Sequence, residues 1–231
     1  MSRIEFDRIW HRFDGQDTPV LRDVTLNLTE RRIGIVGANG SGKSTLVRLI
    51  NGLVTPTSGT VTVDGLDVRK KAREVRRRVG FVFTNPDNQI VMPTVAEDVA
   101  FTLRRRGLSP AEISDRTTAT LQRFGLDELA DRAAHRLSGG QKQLLALAAV
   151  LVAEPAVVIA DEPTTLLDAR NTRRITELLA TLSQQLIVVT HQLELLTDFD
   201  RVIVVDAGQV VADGHPEHAV QAYEALLAGP V

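Results

Sequence analysis

Residues 37–45 read Gly37-Ala38-Asn39-Gly40-Ser41-Gly42-Lys43-Ser44-Thr45, and this stretch decides the fold. It satisfies G-x-x-x-x-G-K-[ST], the pattern of a loop whose backbone N–H groups wrap the phosphates of a nucleotide. Its flanks agree. Arg32–Val36 is a short apolar run of the kind that forms a buried strand, and Thr45–Ile50 has the apolar spacing of a helix. Glycines at 37, 40 and 42 permit positive φ and let the main chain approach a bulky anion. A helix beginning at about Lys43 points its unbonded N–H groups and positive dipole end at those phosphates. Lys43 is then placed to reach the β- and γ-phosphates, and the Ser44 hydroxyl to bind Mg²⁺. The implied ligand is a nucleoside triphosphate.

Composition narrows the setting. The 231 residues suffice for one large domain or one domain with an inserted lobe, and 43% hydrophobic residues supply a core. A net charge of −2 gives no reason to expect nucleic acid or another polyanion as partner. Without cysteine there is no disulfide framework and no thiolate metal site, which suits a reducing cytosol. Met1–Asp7 lacks the apolar segment of a signal peptide. The longest apolar run, Leu144–Ala153, falls well short of the ~20 residues that span a bilayer. Any membrane role is expected to run through a partner.

Upstream of the loop, Arg3–Phe13 alternates apolar and polar residues like a half-buried strand, and Leu21–Leu28 returns as a second. Phe13, closing the first strand, is either an adenine-stacking ring or ordinary strand packing. Gly59–Gly65 reads as a short strand ending in a turn. The segment 69–78 holds seven lysines and arginines in ten residues, a pattern expected of a solvated helix face. Val79–Phe83 reads as a buried strand running into the polar loop Thr84–Gln89. From about 91 to 137 the pattern is all helical: Val95–Arg106, then Ser109–Phe124 with a capping box and proline at the first turn, then a short helix at Asp127–Ala134. An all-helical block between strands of an alternating β/α pattern implies an inserted lobe.

Ser138-Gly139-Gly140 opens the next helix, with Ser138 as a natural N-cap and two glycines that again admit an anion. Ala156–Ala160 is a fully apolar strand ending in Asp161-Glu162, and carboxylates at such a strand end lie on the ligand side of an open α/β sheet. One suits a water-bound Mg²⁺ and the other an attacking water. A helix over Asp168–Ser183 and a strand over Leu186–Thr190 follow, and His191 stands directly after that strand. The histidine is a structural residue or a sensor of the γ-phosphate. Two strands, Arg201–Asp206 and Gln209–Ala212, and a helix after Pro216 complete the chain.

Taken together, these stretches resemble the nucleotide-binding subunit of ATP-binding cassette (ABC) ATPases over about Ile4–Val220. Five motifs stand in that family's order: Gly37–Thr45 (Walker A), the Thr84 loop (Q-loop), Leu137–Gln141 (signature), Val157–Glu162 (Walker B) and His191 (H-loop), and Thr165–Asp168 matches the D-loop, usually Ser-Ala-Leu-Asp, with two substitutions. The resemblance implies an α/β fold: a P-loop NTPase core of the ABC type with an antiparallel β subdomain and an inserted α-helical subdomain. Residues 1–231 then form one ABC ATPase domain, with 1–90 and 138–231 as the nucleotide-binding core and 91–137 as the helical subdomain.

It also implies a head-to-tail dimer, expected as a homodimer, with two ATP molecules at its interface. Each ATP would lie between Gly37, Asn39, Gly40, Ser41, Gly42, Lys43, Ser44 and Thr45 of one subunit and Ser138, Gly139 and Gly140 of the other. Phe13 falls at the position of the adenine-stacking aromatic. Ser44 and Asp161 would hold Mg²⁺, and Glu162 would polarise the attacking water. His191 would contact the γ-phosphate, with Lys43 on the β- and γ-phosphates.

A narrower resemblance rests on Asn85–Val95 followed by Glu97–Phe101. It is similar to the ATPases of energy-coupling-factor (ECF) importers of vitamins and metals, nearest to those of biotin transporters, with cobalt, nickel or another vitamin as the alternative cargo. Such systems add a transmembrane coupling protein and a small membrane substrate-binding protein, which puts the ATPase peripherally on the cytoplasmic face of the membrane. A soluble ABC ATPase of repair or assembly is the competing class. This sequence departs from the family at Thr84, where glutamine is usual. Threonine is too short to contact metal and position water at once, and Asn85 and Gln89 are the nearby side chains that can supply part of that role.

Overall fold

The computed structural model describes residues 1–104 and 106–229. They fall into two compact units, the first made of residues 1–79, 156–162 and 182–229, the second of 80–104, 106–155 and 163–181.

In the first unit, β1 (Ile4–His11) and β2 (Leu21–Leu28) pair antiparallel before β3 (Arg32–Val36) leads into α1 (Lys43–Ile50). Strands β4 (Ser58–Val63) and β5 (Leu66–Asp67) and helix α2 (Ala72–Arg78) follow. Within β1 the side chains of Ile4, Phe6, Ile9 and His11 are buried. Their alternation breaks at Arg8, a left-handed residue (φ 48°) inside a bulge that keeps Ile9 facing inward. Strand β1 sits between β2 and β4, with β5 at the edge. Phe13 lies beyond β1, 39% exposed, so it does not close the strand as its alternation implied. The basic segment behaves as charge patterning predicts: along α2 only Val75 is buried.

β6 (Val79–Val82) leads out of this unit, and its second sheet is completed much later in the chain. Strand β7 (Val157–Asp161) and strands β8 (Gln185–Val189), β9 (Arg201–Asp206) and β10 (Gln209–Gly214) bring the order to β10-β9-β3-β8-β7. Strand β3 runs parallel to both neighbours, β8 and β9, and β8 runs parallel to β7. Every residue of β7 and β8 is buried, which is why Val157–Ala160 and Leu186–Val189 read as unbroken apolar runs rather than alternating ones. The last helix, α7 (Pro216–Leu227), packs Ala219 and Tyr223 on Val36, Val202, Val204 and Leu196.

In the second unit α3 (Val95–Leu103), α4 (Pro110–Phe124) and α5 (Gly139–Leu151) pack on one another. Each starts with a complete capping box, Thr94/Glu97, Ser109/Glu112 and Ser138/Gln141 respectively. Between α4 and α5 the expected short helix at Asp127–Ala134 is replaced by two 3-10 turns, Asp127–Leu129 and Ala134–Arg136. The main chain there bonds sideways instead: Val95 and Ala96 donate to the carbonyls of Arg132 and Ala130, and Ala134 donates to Pro93. Helix α6 (Ala169–Ala180), N-capped by Asp168, completes this unit. Among the described residues no helix is long and apolar enough to cross a membrane.

Candidate nucleotide site

The loop between β3 and α1 gets its shape from main-chain bonds. Gly42 is the N-cap of α1 at φ 105°, a left-handed position that a side chain would strain, and its carbonyl accepts from Leu46 N at 2.9 Å. Behind the loop, Gly208 N donates to Ser41 O at 2.9 Å, and Arg22 N donates to Gly208 O at 2.8 Å. A Cβ on Gly37 would collide with the carbonyl of Val205, so this glycine is fixed by close backbone approach. Gly37, Ser41, Gly42, Lys43 and Thr45 are buried, while Asn39 and Gly40 are exposed.

The Lys43 ammonium donates to Gly37 O and Ala38 O, both at 2.8 Å. Burial lowers its pKa, while the charges of Glu162 and Asp161 act in the opposite sense. The next residue, Ser44, donates its hydroxyl to Asp161 Oδ1 at 2.8 Å. Asp161 ends β7 fully buried, which pushes its carboxyl up. The Ser44 hydrogen bond and the Arg48 guanidinium, 3.2 Å from Oδ2, pull it back.

Glu162 follows in the left-handed region at φ 52°, a conformation that costs an ordinary side chain about 1 kcal/mol or more. It is held there by its N–H, which donates to Val189 O at 2.9 Å. Strands β7 and β8 pair Asp161 with Val189, so the side chains just past these ends are neighbours. His191 Nδ1 lies 2.8 Å from Glu162 Oε2. The first unit therefore gathers Lys43, Ser44, Asp161, Glu162 and His191 at the carboxyl ends of adjoining parallel strands, where such sheets bind ligands. Phe13, in the same unit, meets His11 edge to face with ring centroids 4.6 Å apart.

Ser44 and Asp161 offer two hard oxygen donors that already touch each other, which suits Mg²⁺. Among the described residues no group of three or more His, Cys, Asp or Glu could hold a metal ion. Mg²⁺ binds through one or two protein oxygens together with substrate phosphates and water.

The second unit carries the remaining motif residues. Ser138 caps α5 through Gln141, its N–H donating to Gln141 Oε1 at 2.9 Å. Gly139 is exposed; Gly140 is buried against Asn171, whose amide donates to the Asp168 carboxylate at 3.0 Å. The first turns of α5 and α6 thus touch at one glycine and one asparagine. Gln89 and Asn85, the residues considered for the role of the missing glutamine, serve their own loop. Gln89 accepts from Phe83 N at 3.1 Å and donates to Ala146 O at 2.9 Å, and Asn85 accepts from Asp87 N at 3.0 Å.

Sequence reasoning passed over Arg48, Asp98 and Asn171. Arg48 had a legible signal, since it stands four residues after Ser44 on one helix and so shares its face. Asp98 accepts at Oδ1 from Val91 N and Met92 N, at 2.8 and 3.0 Å, and nothing in its local pattern announces those bonds.

A glycine-rich loop opening a helix beside two strand-end carboxylates defines a P-loop nucleoside triphosphatase. The sequence profile of the ABC transporter family matches residues 21–165, and the chain belongs to that family as an ATP-binding subunit and is an ATPase. A putative ABC transporter ATP-binding protein of Bartonella quintana is 52% identical over 223 residues, 96% of this chain and 98% of its own length. The biotin transport ATP-binding protein BioM of Rhizobium etli is 47% identical over 208 residues, 90% of this chain and 92% of its own. Among solved structures, cbiO1 from Clostridium perfringens, part of the ABC transporter complex cbiONQ, aligns with a TM-score of 0.82. It is 33% identical, covering 97% of this chain and 92% of that one.

Proposed function

We propose that this chain hydrolyses ATP to drive an ECF-type importer, with biotin as the cargo. The observation that carries the chemistry is the gathering of Glu162, His191, Asp161, Ser44 and Lys43 around the loop at residues 37–45. The similarity to BioM supports the transport assignment.

In this reading the N–H groups of the loop, the start of α1 and Lys43 meet the triphosphate charge of ATP. Glu162 takes a proton from the attacking water as its oxygen bonds to the γ-phosphorus and the bond to the ADP oxygen breaks. His191 orients Glu162 and contacts the γ-phosphate. Ser44 and Asp161 hold Mg²⁺, which when bound neutralises phosphate charge. Phe13 stacks on adenine. The second ATP-binding face is Ser138-Gly139-Gly140 of another copy, so the working unit is a homodimer enclosing two ATP. Residues 91–137 act as a helical subdomain of the single ATPase domain.

The remaining partners are a transmembrane coupling protein and a small membrane substrate-binding protein, with this subunit peripheral on the cytoplasmic face. The stretch Thr84–Phe101 is the docking surface. In support, Asp87, Ile90, Val91, Met92, Pro93 and His135 line a hollow of about 310 Å³, and Val91 is 64% exposed. The test is co-purification of tagged subunit from detergent-solubilised membranes. The parent should bring down two membrane proteins, and Val91→Glu should lose them while keeping ATP binding. A parent that brings down no membrane protein overturns the importer assignment. If Val91→Glu still captures them, the docking surface lies elsewhere.

A further inference from the structure

Asp161 is fully buried, and one helix addresses both of its oxygens. Ser44 donates to Oδ1, and one turn later Arg48 reaches Oδ2 at 3.2 Å. An ionised carboxylate in such a place is stable only when other groups meet its charge. The Arg48 guanidinium is half-buried beside it, with its Nε buried and making no hydrogen bond. Nothing about a helix end requires that arrangement, since a cation serving only the C-terminal dipole of α1 does best in water.

We propose that Arg48 is a resident counter-ion of Asp161: a positioning residue that holds the buried carboxylate by a charged hydrogen bond and turned toward Ser44 until a divalent cation takes over part of that work. The metal half of this inference rests on the assignment of Asp161 as a Mg²⁺ ligand made above; the counter-ion half does not.

A double-mutant cycle on the nucleotide-free protein in EDTA tests the counter-ion. Arg48→Met keeps the apolar stem and removes the charge, and should lower Tm by roughly 5 °C. Arg48→Lys should recover most of that loss. In an Asp161→Asn background, where no charge needs a partner, Arg48→Met should shift Tm by less than about 1 °C. An equal loss in both backgrounds, or none in either, overturns the proposal. A second readout titrates Mg²⁺ against labelled ATP at equilibrium. With the resident charge gone, Arg48→Met should reach half-saturation at about threefold less Mg²⁺ or lower, because a competing cation has left the carboxylate. An unchanged or higher requirement overturns the displacement of Arg48 by metal. Asp161→Asn should need more Mg²⁺ than the parent. If it does not, the metal assignment itself fails, and the thermal cycle still judges the counter-ion.

Discussion

His191 and Glu162 meet across the ends of neighbouring strands, Nδ1 to Oε2, at 2.8 Å. The carboxylate stands on a left-handed residue whose N–H is tied to β8, so both its backbone and its side chain are anchored to the strand that ends beside His191. Residues held this way act as a unit, and their losses should not add.

Glu162→Gln should therefore keep ATP binding and lose turnover by 10²–10⁴-fold, about 3–5 kcal/mol of barrier. Adding His191→Ala to it should cost little more. Equilibrium titration with labelled ATP and steady-state phosphate release measure the two halves. Hydrolysis at the parental rate by Glu162→Gln would remove this residue from the mechanism. Lys43→Ala, by contrast, should weaken nucleotide binding itself.

Thr84→Gln should raise basal hydrolysis. Gln89 and Asn85 are occupied in holding their own loop, so the long amide that the family usually places at 84 has no evident stand-in. Steady-state assays at several Mg²⁺ concentrations check this, and a fall in rate would give Thr84 a tuned role of its own.

Gly140→Ala should destabilise the protein by about 1–3 kcal/mol, the usual cost of forcing a methyl into packed space. The new Cβ would run into the Asn171 side chain and break its bond to Asp168. Chemical denaturation should show most of the loss relieved by Asn171→Ala. Equal destabilisation in both backgrounds would place the clash elsewhere.

The pH dependence of stability should carry a mark of Asp98. Burial holds its carboxyl above the ordinary aspartate range, while the N–H groups of Val91 and Met92 oppose the shift. The folded chain therefore binds a proton more readily than the unfolded one. That contribution is full below the ordinary aspartate value and is lost as pH rises through the raised value. Asp98→Asn keeps an acceptor for both N–H groups without the charge, so urea unfolding at pH 4.5 and 7 should show a smaller gap than in the parent. Asp98→Ala, which leaves both donors without their acceptor, should cost about 1–3 kcal/mol at either pH. An unchanged gap for Asp98→Asn would remove Asp98 from the pH response.

Most of the strands and the phosphate loop were legible because each is encoded locally. An apolar run such as Val157–Ala160 needs no distant partner to be recognised, and neither does a glycine pattern such as 37–42. The capping box at 109 and the N-cap at 138 are local too. What escaped was set by residues far apart in sequence. Phe13 follows the alternation of β1 yet lies beyond its end, where only the pairing of β1 with β2 and β4 decides the boundary. The turns at 127–136 bond to residues 93–96, which a helical pattern cannot announce. The polarity of Gln89 suggested chemistry, while its side chain bridges Phe83 and Ala146.

The turn at Ala207-Gly208 has a consequence for the order in which the molecule matures. Its motif is complete in sequence by Thr45, yet the carbonyl of Val205 and the N–H of Gly208 form the back of the loop. During synthesis a nascent chain that has not reached Val205 already carries the whole phosphate pattern without the wall that shapes it. The final shape of the loop thus waits on residues 205–208, and closing so distant a contact is entropically slow compared with forming the helices of 95–151. A loop written early in the sequence is closed by residues written late.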